Sequence, residues 1–340
     1  MLIFIKYSEK FKYLLDIYYK HMKIEINITK DNKDRILKLL DELVDAESGT
    51  SEEAGKIRIN ESKEGHRAEK EEYKGYGRYM NKPSGYIDKL LAPASIESSE
   101  FGLGKNFLFN SFFAAKAMLR VIANLTKEEQ KSPEQSKVLE IFNKAAIALG
   151  LQAYNGFPKN RENEKHEGSS VNKLFYSILL PLSQMGMLKL NDNNISLTKN
   201  GFEFSMLTNP KLDNNKDELL SEEEINYLIG YLKEIDMHGY KEYTFLKRIV
   251  DFIKEKSTYG KTPVYQDLVD FIKRDERFVD YVYKTSKFGK NGLPKESRDF
   301  INKLQRTAQA VVASRIALLR ELRVIEDKRN SYRIIKDVLG

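Results

Sequence analysis

The chain has 340 residues, of which 41% are hydrophobic and 31% charged, and its formal net charge at pH 7 is +7. This composition is typical of a soluble globular protein and excludes disorder over most of the chain, and the length predicts two or three domains. Because the chain has no cysteine and only four scattered histidines, disulfides and thiol nucleophiles are excluded and neither a metal site nor any other cofactor is predicted.

Positive charge is concentrated in two blocks. Residues 101–200 contain 13 Lys and Arg against 8 Asp and Glu, and residues 284–336 contain 14 against 5. The intervening residues 201–250 are acidic, with 6 basic against 10 acidic side chains. Because net charge governs association rather than fold, the two blocks favour an anionic partner.

The first 100 residues predict a small α/β segment. Residues 1–21 are too charged for a membrane span and lack a signal-peptide cleavage pattern, so we predict no membrane association and a cytoplasmic location. We interpret them as an appended helix or as residues that precede the native start. "KIEINIT" (23–29) alternates as a strand, "DNKDRILKLLDELVDA" (31–46) predicts a helix, and "GKIRIN" (55–60) predicts a second strand.

A polar stretch rich in Gly and Tyr follows, "KEGHRAEKEEYKGYGRYMNKPSGY" (63–86). We interpret it as a mobile loop, since charge runs of this kind are usually solvated. The alternative is a basic and aromatic strip, in which Lys74, Arg78 and Lys82 contact phosphates and the tyrosines stack on bases. Neighbouring glutamates weaken that alternative.

Three helices and a hairpin are predicted next. The helices are "KNFLFNSFFAAKAMLRVIANL" (105–125), "SKVLEIFNKAAIALG" (136–150) and "SSVNKLFYSILLPLSQMG" (169–186), the last of them ending at Gly186 and bent or split at Pro181. "MLKL" and "ISL" form two short strands around the turn "NDNN" (191–194), and Thr198 caps a further helix.

This order of elements, together with "MGMLKL…ISLTKNGFEF", resembles the winged helix-turn-helix proteins, bacterial and archaeal regulators among them. The resemblance implies a third helix that enters the major groove and a hairpin wing that contacts the DNA backbone or minor groove. The implied DNA contacts are Lys159, Arg161 and Lys165 before the third helix and Asn172, Lys173 and Tyr176 along it. The tip of this wing carries no basic residue, so its own contact with DNA is in doubt.

A second set of similar elements follows an acidic, Asn-rich linker at 211–224. Helices are predicted at 239–256, at 262–275 with Pro263 in its first turn, and at 294–322, with the basic loop "VYKTSKFGKNGLPKES" (282–297) before the last of them. "RVIEDKRNSYRII" (323–335) reads as strand, turn and strand. The two hairpins share no detectable sequence identity, so the prediction concerns a recurring architecture.

The second set is better supplied with basic residues. The predicted DNA contacts are Lys287 and Lys290 in the loop, Arg298, Asn302, Lys303 and Arg306 in the first turns of the long helix, and Lys328, Arg329 and Arg333 in or beside the wing. Phosphate contacts of this kind dominate affinity for DNA and make it depend steeply on salt, while Arg and Asn side chains read base edges. The alternative is the solvated surface of a Lys-rich protein.

The long helix at 294–322 exceeds what one winged unit must bury. Its centre, "TAQAVVASRIA" (307–317), is rich in small residues that allow close helix packing, and a second subunit in a homodimer could supply that packing. Arg315, Arg320 and Arg323 lie deeper in this helix, and we predict structural or interfacial roles for them.

The predicted fold is mainly α with short β-hairpins (α+β): an N-terminal segment (1–100), a first winged-helix domain (101–210), the linker (211–224) and a second winged-helix domain (225–340). The predicted function is non-enzymatic binding of double-stranded DNA, as a transcriptional regulator or as a replication or maintenance initiator of a mobile element. Two alternatives remain open: a protein-interaction scaffold, and the DNA-targeting component of a metal-dependent nuclease or restriction system.

Overall fold

The computed structural model describes residues 2–7, 13–19, 22–28, 77–102, 109–151, 164–292, 294–328 and 331–339. The chain divides into two compact parts, residues 1–63 and residues 64–340. No helix within the described ranges is long and apolar enough to cross a membrane. The predicted helix at 31–46 and the predicted strand at 55–60 lie outside the described residues.

The N-terminal part contains a three-stranded antiparallel sheet formed by β1 (Leu2–Tyr7), β2 (Tyr13–Tyr19) and β3 (Met22–Ile28), in that order. The strand predicted from Lys23 is therefore present. Residues 1–21 supply two further strands, so their interpretation as an appended helix is wrong. Ile, Tyr and Leu dominate both β1 and β2. Their preference for an extended backbone outweighs the helical preference of the few charged residues among them.

Residues 64–340 are mainly helical, with two short antiparallel hairpins. In chain order the elements are a 3₁₀ turn (Asp88–Leu90), α1 (Phe112–Glu129), α2 (Gln135–Ala148), α3 (Glu164–Gln184), β4 (Leu188–Asn191), β5 (Asn194–Leu197), α4 (Lys199–Met206), α5 (Pro210–Asn214), α6 (Glu222–Met237), α7 (Glu242–Thr258), α8 (Tyr265–Lys273), α9 (Glu276–Thr285), α10 (Lys287–Lys290), α11 (Arg298–Glu321), β6 (Ile325–Lys328) and β7 (Ser331–Ile334).

Helices α1, α2 and α3 and the hairpin β4–β5 form a first helix–hairpin unit. Helix α3 begins at Glu164, before the predicted cap, and is assigned as one helix through Pro181. Because Pro181 lies in the last turn, few of the backbone hydrogen bonds of the helix depend on it. The predicted cap at Thr198 is present, since its Oγ1 accepts a hydrogen bond from the amide of Gly201 at 3.3 Å.

Helices α7, α8 and α11 and the hairpin β6–β7 form a second helix–hairpin unit, in which α9 and α10 lie between the second and third helices. Pro133, before α2, accepts a hydrogen bond from the amide of Ile195 at 3.0 Å. Pro263, before α8, accepts one from the amide of Tyr332 at the same distance. In both units the residue that follows this proline pairs with the second strand of the hairpin. The hairpin in each unit is therefore extended by one bridge from the start of the second helix.

The acidic segment 211–224 is not an open connection. It contains part of α5 and the start of α6, and two of its carboxylates bind cations of α1. Glu224 pairs with Lys116 at 3.0 Å, with both side chains fully buried, and Asp213 receives two hydrogen bonds from Arg120 at 2.6 and 2.7 Å. Burial is the largest effect on Lys116 and lowers its pKa to about 8. The acidic residues of this segment predict a linker when only the sequence is considered. In the structure, Glu224 and Asp213 instead neutralise buried cations.

The described end of the predicted mobile loop also packs on α1. Tyr79 and Met80 are buried. The amide of Asn124 donates to the carbonyl oxygens of Tyr79 and Asn81 at 2.9 and 3.0 Å. Arg78, from the alternative basic and aromatic strip, pairs with Glu128 at 3.8 Å. Residues 77–86 are thus part of the folded body, because they satisfy polar groups of α1.

The predicted basic loop at 282–297 is partly helical. Its start belongs to α9, which buries Phe278 and Val282 on one face, and Lys287–Lys290 forms the single turn α10. Helix α8 begins at Tyr265, so Pro263 lies before the helix and not in its first turn. The helical signal of α9 was the pair of apolar residues Phe278 and Val282, four positions apart, and the charged residues around Val282 obscured it.

Candidate nucleic-acid interface

The first turns of α11 expose a row of polar side chains. Ser297 caps the helix, its Oγ accepting a hydrogen bond from the amide of Phe300 at 3.3 Å. Arg298, Asn302 and Arg306 follow at four-residue intervals and are exposed, so they lie on one face. Lys303 is exposed beside them. Phe300 and Leu304 are buried behind this row and hold the helix against the core.

Helix α10 lies against the start of α11 and adds two lysines. The ring of Phe288 packs edge-on against Phe300, with centroids 5.9 Å apart. A side chain at Gly289 would place its Cβ 2.4 Å from the carbonyl oxygen of Tyr283, so only glycine allows this close approach. Lys287 and Lys290 are exposed on the turn. The fold thus brings the lysines of the predicted loop next to the basic face of α11.

Lys287 and Lys303 line the same open cavity of about 500 Å³, together with Tyr281, Val282, Thr285, Ser286, Phe288 and Thr307. The hydroxyl groups of Thr285, Ser286 and Thr307 already donate to carbonyl oxygens three or four residues earlier in the chain, at 2.7 to 2.9 Å. The two ammonium groups are therefore the strongest hydrogen-bond donors that the cavity offers to a ligand. Such a cavity suits an anionic group such as a phosphate.

Several other cations of the basic block are neutralised within the fold. Arg315 is buried and pairs with Glu242 at 3.1 Å, and Arg323 pairs with Glu218 and Glu222 at 3.1 Å. Lys295 pairs with Asp280, and Lys336 pairs with Glu222 at 3.0 Å. Arg315 and Arg323 thus have the structural role that we predicted, whereas Arg320 is exposed and makes no ion pair among the described residues.

Six other cations of the block lie close together along the chain and form the candidate interface. Within the part of the chain that the structure describes, none of these side chains makes an ion pair: Lys284, Lys287, Lys290, Arg298, Lys303 and Arg306. All six are exposed and lie on α9, α10 or the first half of α11. We call this set the α10–α11 basic face.

The second hairpin is less complete as a site. Arg333 is exposed on β7 and lies opposite Glu326 in the strand register. The backbone of Lys328 ends β6, but its side chain and the whole of Arg329 lie outside the described part of the chain. In the first hairpin, Asp192 at the turn has a left-handed backbone with φ of 46°, as the Asn and Asp turn predicts.

Few of the contacts predicted for the first unit can be placed. Lys159 and Arg161 lie outside the described residues, and only the backbone of Lys165, Asn172 and Lys173 is described, within α3. Tyr176 is 42% exposed, and its hydroxyl accepts a hydrogen bond from the side-chain amide of Gln135 at 3.0 Å. One turn further along α3, Leu180 is 38% exposed. The described outer face of α3 is therefore mainly apolar, unlike the basic face of α11.

The small residues at the centre of α11 pack largely within the chain. Ala308, Val311, Val312 and Ile316 are buried, while Ala313 is exposed. Helix α8, the hairpin and the start of α1 supply contacts to this helix. Close helix packing is therefore satisfied inside one chain.

Sequence reasoning missed Thr285, Ser286 and Thr307, which line the cavity beside the two lysines. Their position depends on α9 and α10, which the charged stretch was not expected to form. The described residues contain no group of three or more His, Asp or Glu side chains that could hold a metal ion.

The chain was compared with protein-family models, with curated proteins and with solved structures, and no match was found in any of the three comparisons. The function assigned to the α10–α11 basic face therefore rests on the chemistry of its own residues.

Proposed function

We propose that the chain binds double-stranded DNA through two winged helix-turn-helix units, with the α10–α11 basic face as the main contact. The order of three helices and a hairpin in each unit, with the bridge from the second helix to the hairpin, supports the winged-helix interpretation. In that architecture the third helix, here α11, enters the major groove. The polar row on its first turns is the part of the helix that would meet the bases.

The observation that carries the proposal is the concentration of unpaired cations on this face. Arg248, Arg315 and Arg323 of the second unit are matched with carboxylates, whereas six exposed cations clustered on α9, α10 and the first half of α11 have none among the described residues. A duplex supplies a regular array of phosphates for such groups, and each contact releases condensed counterions. Arg298, Asn302 and Arg306 would then lie in reach of base edges.

The test is a titration of the full chain against random-sequence duplex DNA of about two helical turns, at several salt concentrations. We expect Arg298→Ala with Arg306→Ala to weaken binding at least about tenfold and to reduce the slope of log K against log salt by about 2. The matched control replaces two exposed lysines on other elements, Lys216→Ala with Lys233→Ala, and removes the same charge. Equal losses for both pairs would show a non-specific charge effect, and no loss for either would contradict the proposed face.

As cellular roles we propose a cytoplasmic transcriptional regulator, or a replication or maintenance initiator. A protein-interaction scaffold is the second candidate, and the exposed pair Tyr176 and Leu180 on α3 favours it. Apolar side chains one turn apart on an outer helix face are typical of contacts between proteins rather than with phosphates. A chain that fails to bind the duplex even at low salt would favour this candidate.

A further inference from the structure

The two helix–hairpin units correspond residue by residue. The left-handed residues Gln130 and Gly260, which end the first helices, are 130 positions apart. The same spacing separates Pro133 from Pro263 and the helix-capping Ser111 from Lys241. The connection between the second and third helices is longer in the second unit, so the spacing between equivalent residues is 137 beyond it. This spacing relates the two strands of one hairpin to those of the other, and the left-handed residue Gly186 to the left-handed residue Arg323.

In one direction, the end of the third helix of the second unit binds the start of the first helix of the first unit. Glu321, the last residue of α11, accepts hydrogen bonds from the hydroxyl of Ser111 and from the amide of Phe112, both at 2.6 Å. It also accepts one from the amide of Phe113 at 3.2 Å. The carboxylate of α11 thus occupies the amino end of α1, where unpaired backbone amides favour negative charge.

In the other direction, the end of α3 is joined to the start of α7 through a short extended segment. The carbonyl oxygen of Gln184, the last residue of α3, accepts a hydrogen bond from the amide of Glu97 at 2.9 Å. Two residues later, Ser99 donates its amide to Gly239 at 2.9 Å and accepts from Lys241 at 2.8 Å. Gln184 is the counterpart of Glu321, and Lys241 is the counterpart of Ser111.

Each unit therefore presents the same two ends to the other. In a two-fold arrangement, the end of the third helix in each unit meets the start of the first helix in the other unit. A head-to-tail arrangement would bring together only one such pair of helix ends. The contacts are not identical, since residues 97–101 separate one pair and the other pair touches directly. The relation is that of an internal pseudo-dimer.

From this geometry we propose that one chain reads two half-sites of opposite orientation on one DNA duplex, without a second subunit. The inference rests on the proposed DNA binding and adds the arrangement of the partner. A pair of recognition helices related by two-fold symmetry binds half-sites separated by about one helical turn or a multiple of it. Here the pair belongs to a single polypeptide.

The spacing between the half-sites is fixed by buried polar contacts. Glu321 of α11 accepts hydrogen bonds from the start of α1, from Ser111 and from the amides of Phe112 and Phe113, and all of these groups are buried. Arg315 of α11 donates to the carbonyl oxygen of Phe101 at 3.2 Å, in the segment that joins the end of α3 to the start of α7. Moving one unit relative to the other would leave these groups without partners.

The two half-sites have different base sequences. The exposed Asn302 of α11 corresponds to Lys165 of α3, and Arg306 corresponds to Ser169. Because the residue types at equivalent positions of the two third helices differ, the proposed site is inverted in geometry but not palindromic in sequence.

The test maps where each unit lies on the duplex. The probe is a duplex of about four helical turns selected from a random pool by the full chain. Because the chain has no cysteine, one cysteine at a time can carry an iron chelate that cleaves nearby DNA. Two equivalent positions mark the starts of the third helices, Glu164→Cys and Ile301→Cys, and two mark the hairpins, Lys189→Cys and Glu326→Cys. None of these four is a predicted DNA contact.

We expect a mirrored order of cleavage along the duplex, either hairpin, helix, helix, hairpin or helix, hairpin, hairpin, helix, with one chain bound per duplex. Insertion of half a helical turn between the two cleaved segments should weaken binding roughly 100-fold, because a rigid chain then engages only one half-site. A repeated order, hairpin, helix, hairpin, helix, or cleavage from one unit alone overturns this inference while DNA binding stands. If no duplex is retained from the pool at low salt, the proposed function itself fails and this inference with it.

Discussion

Replacing Glu321 by glutamine should make the protein less sensitive to pH. The carboxyl group of Glu321 is buried at the amino end of α1. Burial is the largest effect on it and raises its pKa from the ordinary 4.5 to about 7, although the hydrogen bonds from Ser111, Phe112 and Phe113 act in the opposite direction. Between these two pH values, the folded state retains a proton that the unfolded chain has lost.

The sign follows from proton linkage. Because the folded state binds more protons than the unfolded state between pH 4.5 and 7, the free energy of unfolding falls as the pH rises through this window. The contribution is fully present below pH 4.5 and is lost as the pH passes about 7. At about 1.4 kcal/mol for each pH unit, the loss is about 3 kcal/mol.

A glutamine at this position imitates the protonated carboxyl group. Its carbonyl oxygen can accept from the amides of Phe112 and Phe113, and its NH₂ group can donate to the hydroxyl oxygen of Ser111. The counterpart position in the first unit, Gln184, already carries this residue. We therefore expect Glu321→Gln to match the wild type near pH 4.5 and to exceed its stability by about 3 kcal/mol above pH 8.

The assay is urea unfolding at a series of pH values from 4.5 to 8.5, comparing the wild type, Glu321→Gln and the control Glu296→Gln. Glu296 is exposed, so its replacement should leave the slope of stability against pH close to that of the wild type. Parallel curves for the wild type and Glu321→Gln would refute the reasoning, because they would show that the buried carboxyl group titrates as it does in the unfolded chain.

Two further predictions concern the stability of the body formed by residues 64–340. Lys116→Met leaves the buried carboxylate of Glu224 without its cation and should cost about 3–5 kcal/mol in urea unfolding, whereas the double replacement with Glu224→Leu should recover most of this loss. Gly201→Ala would place a Cβ 1.9 Å from the carbonyl oxygen of Met187 and should lower stability by about 1–3 kcal/mol. The matched change Gly230→Ala, in a helix with open space around it, should instead raise stability by up to about 1 kcal/mol.

Local patterns were sufficient for elements whose signals lie within a few residues. The turn between β4 and β5, the cap at Thr198 and the helix end at Gly186 were each predicted from residue type, and each is present. These features depend on backbone conformations that Asn, Thr and Gly adopt or stabilise at short range. No knowledge of distant contacts was needed for them.

Patterns failed where a charged segment packs against a distant partner. Asp213 and Glu224 were interpreted as linker residues, yet they neutralise Arg120 and Lys116, which lie about 90 to 110 positions earlier in the chain. Similarly, α9 was hidden in a basic stretch because its buried face carries only two apolar side chains. Charge in sequence does not distinguish a solvated side chain from one that is paired in the interior.

The sequence predicts a recurring architecture, but the residue-by-residue correspondence of the two units was beyond it. Gly186 and Arg323 occupy the same left-handed position, but an arginine is not an expected residue there. Arg323 adopts this left-handed backbone conformation while its side chain forms ion pairs with Glu218 and Glu222. A comparison of residue types therefore finds no repeat where the hydrogen bonds of the backbone show one.

The sequence by itself determined the helical character of the main body, the two hairpins and the basic block that contains Lys287, Arg298 and Arg306, since these follow from periodicity, turn residues and composition. Only the tertiary structure decided which cations remain exposed and which are paired, because pairing depends on residues distant in the chain. It also decided that the ends of the third helices meet the starts of the first helices in both directions. Such reciprocity is a property of the arrangement in space, and no local pattern encodes it.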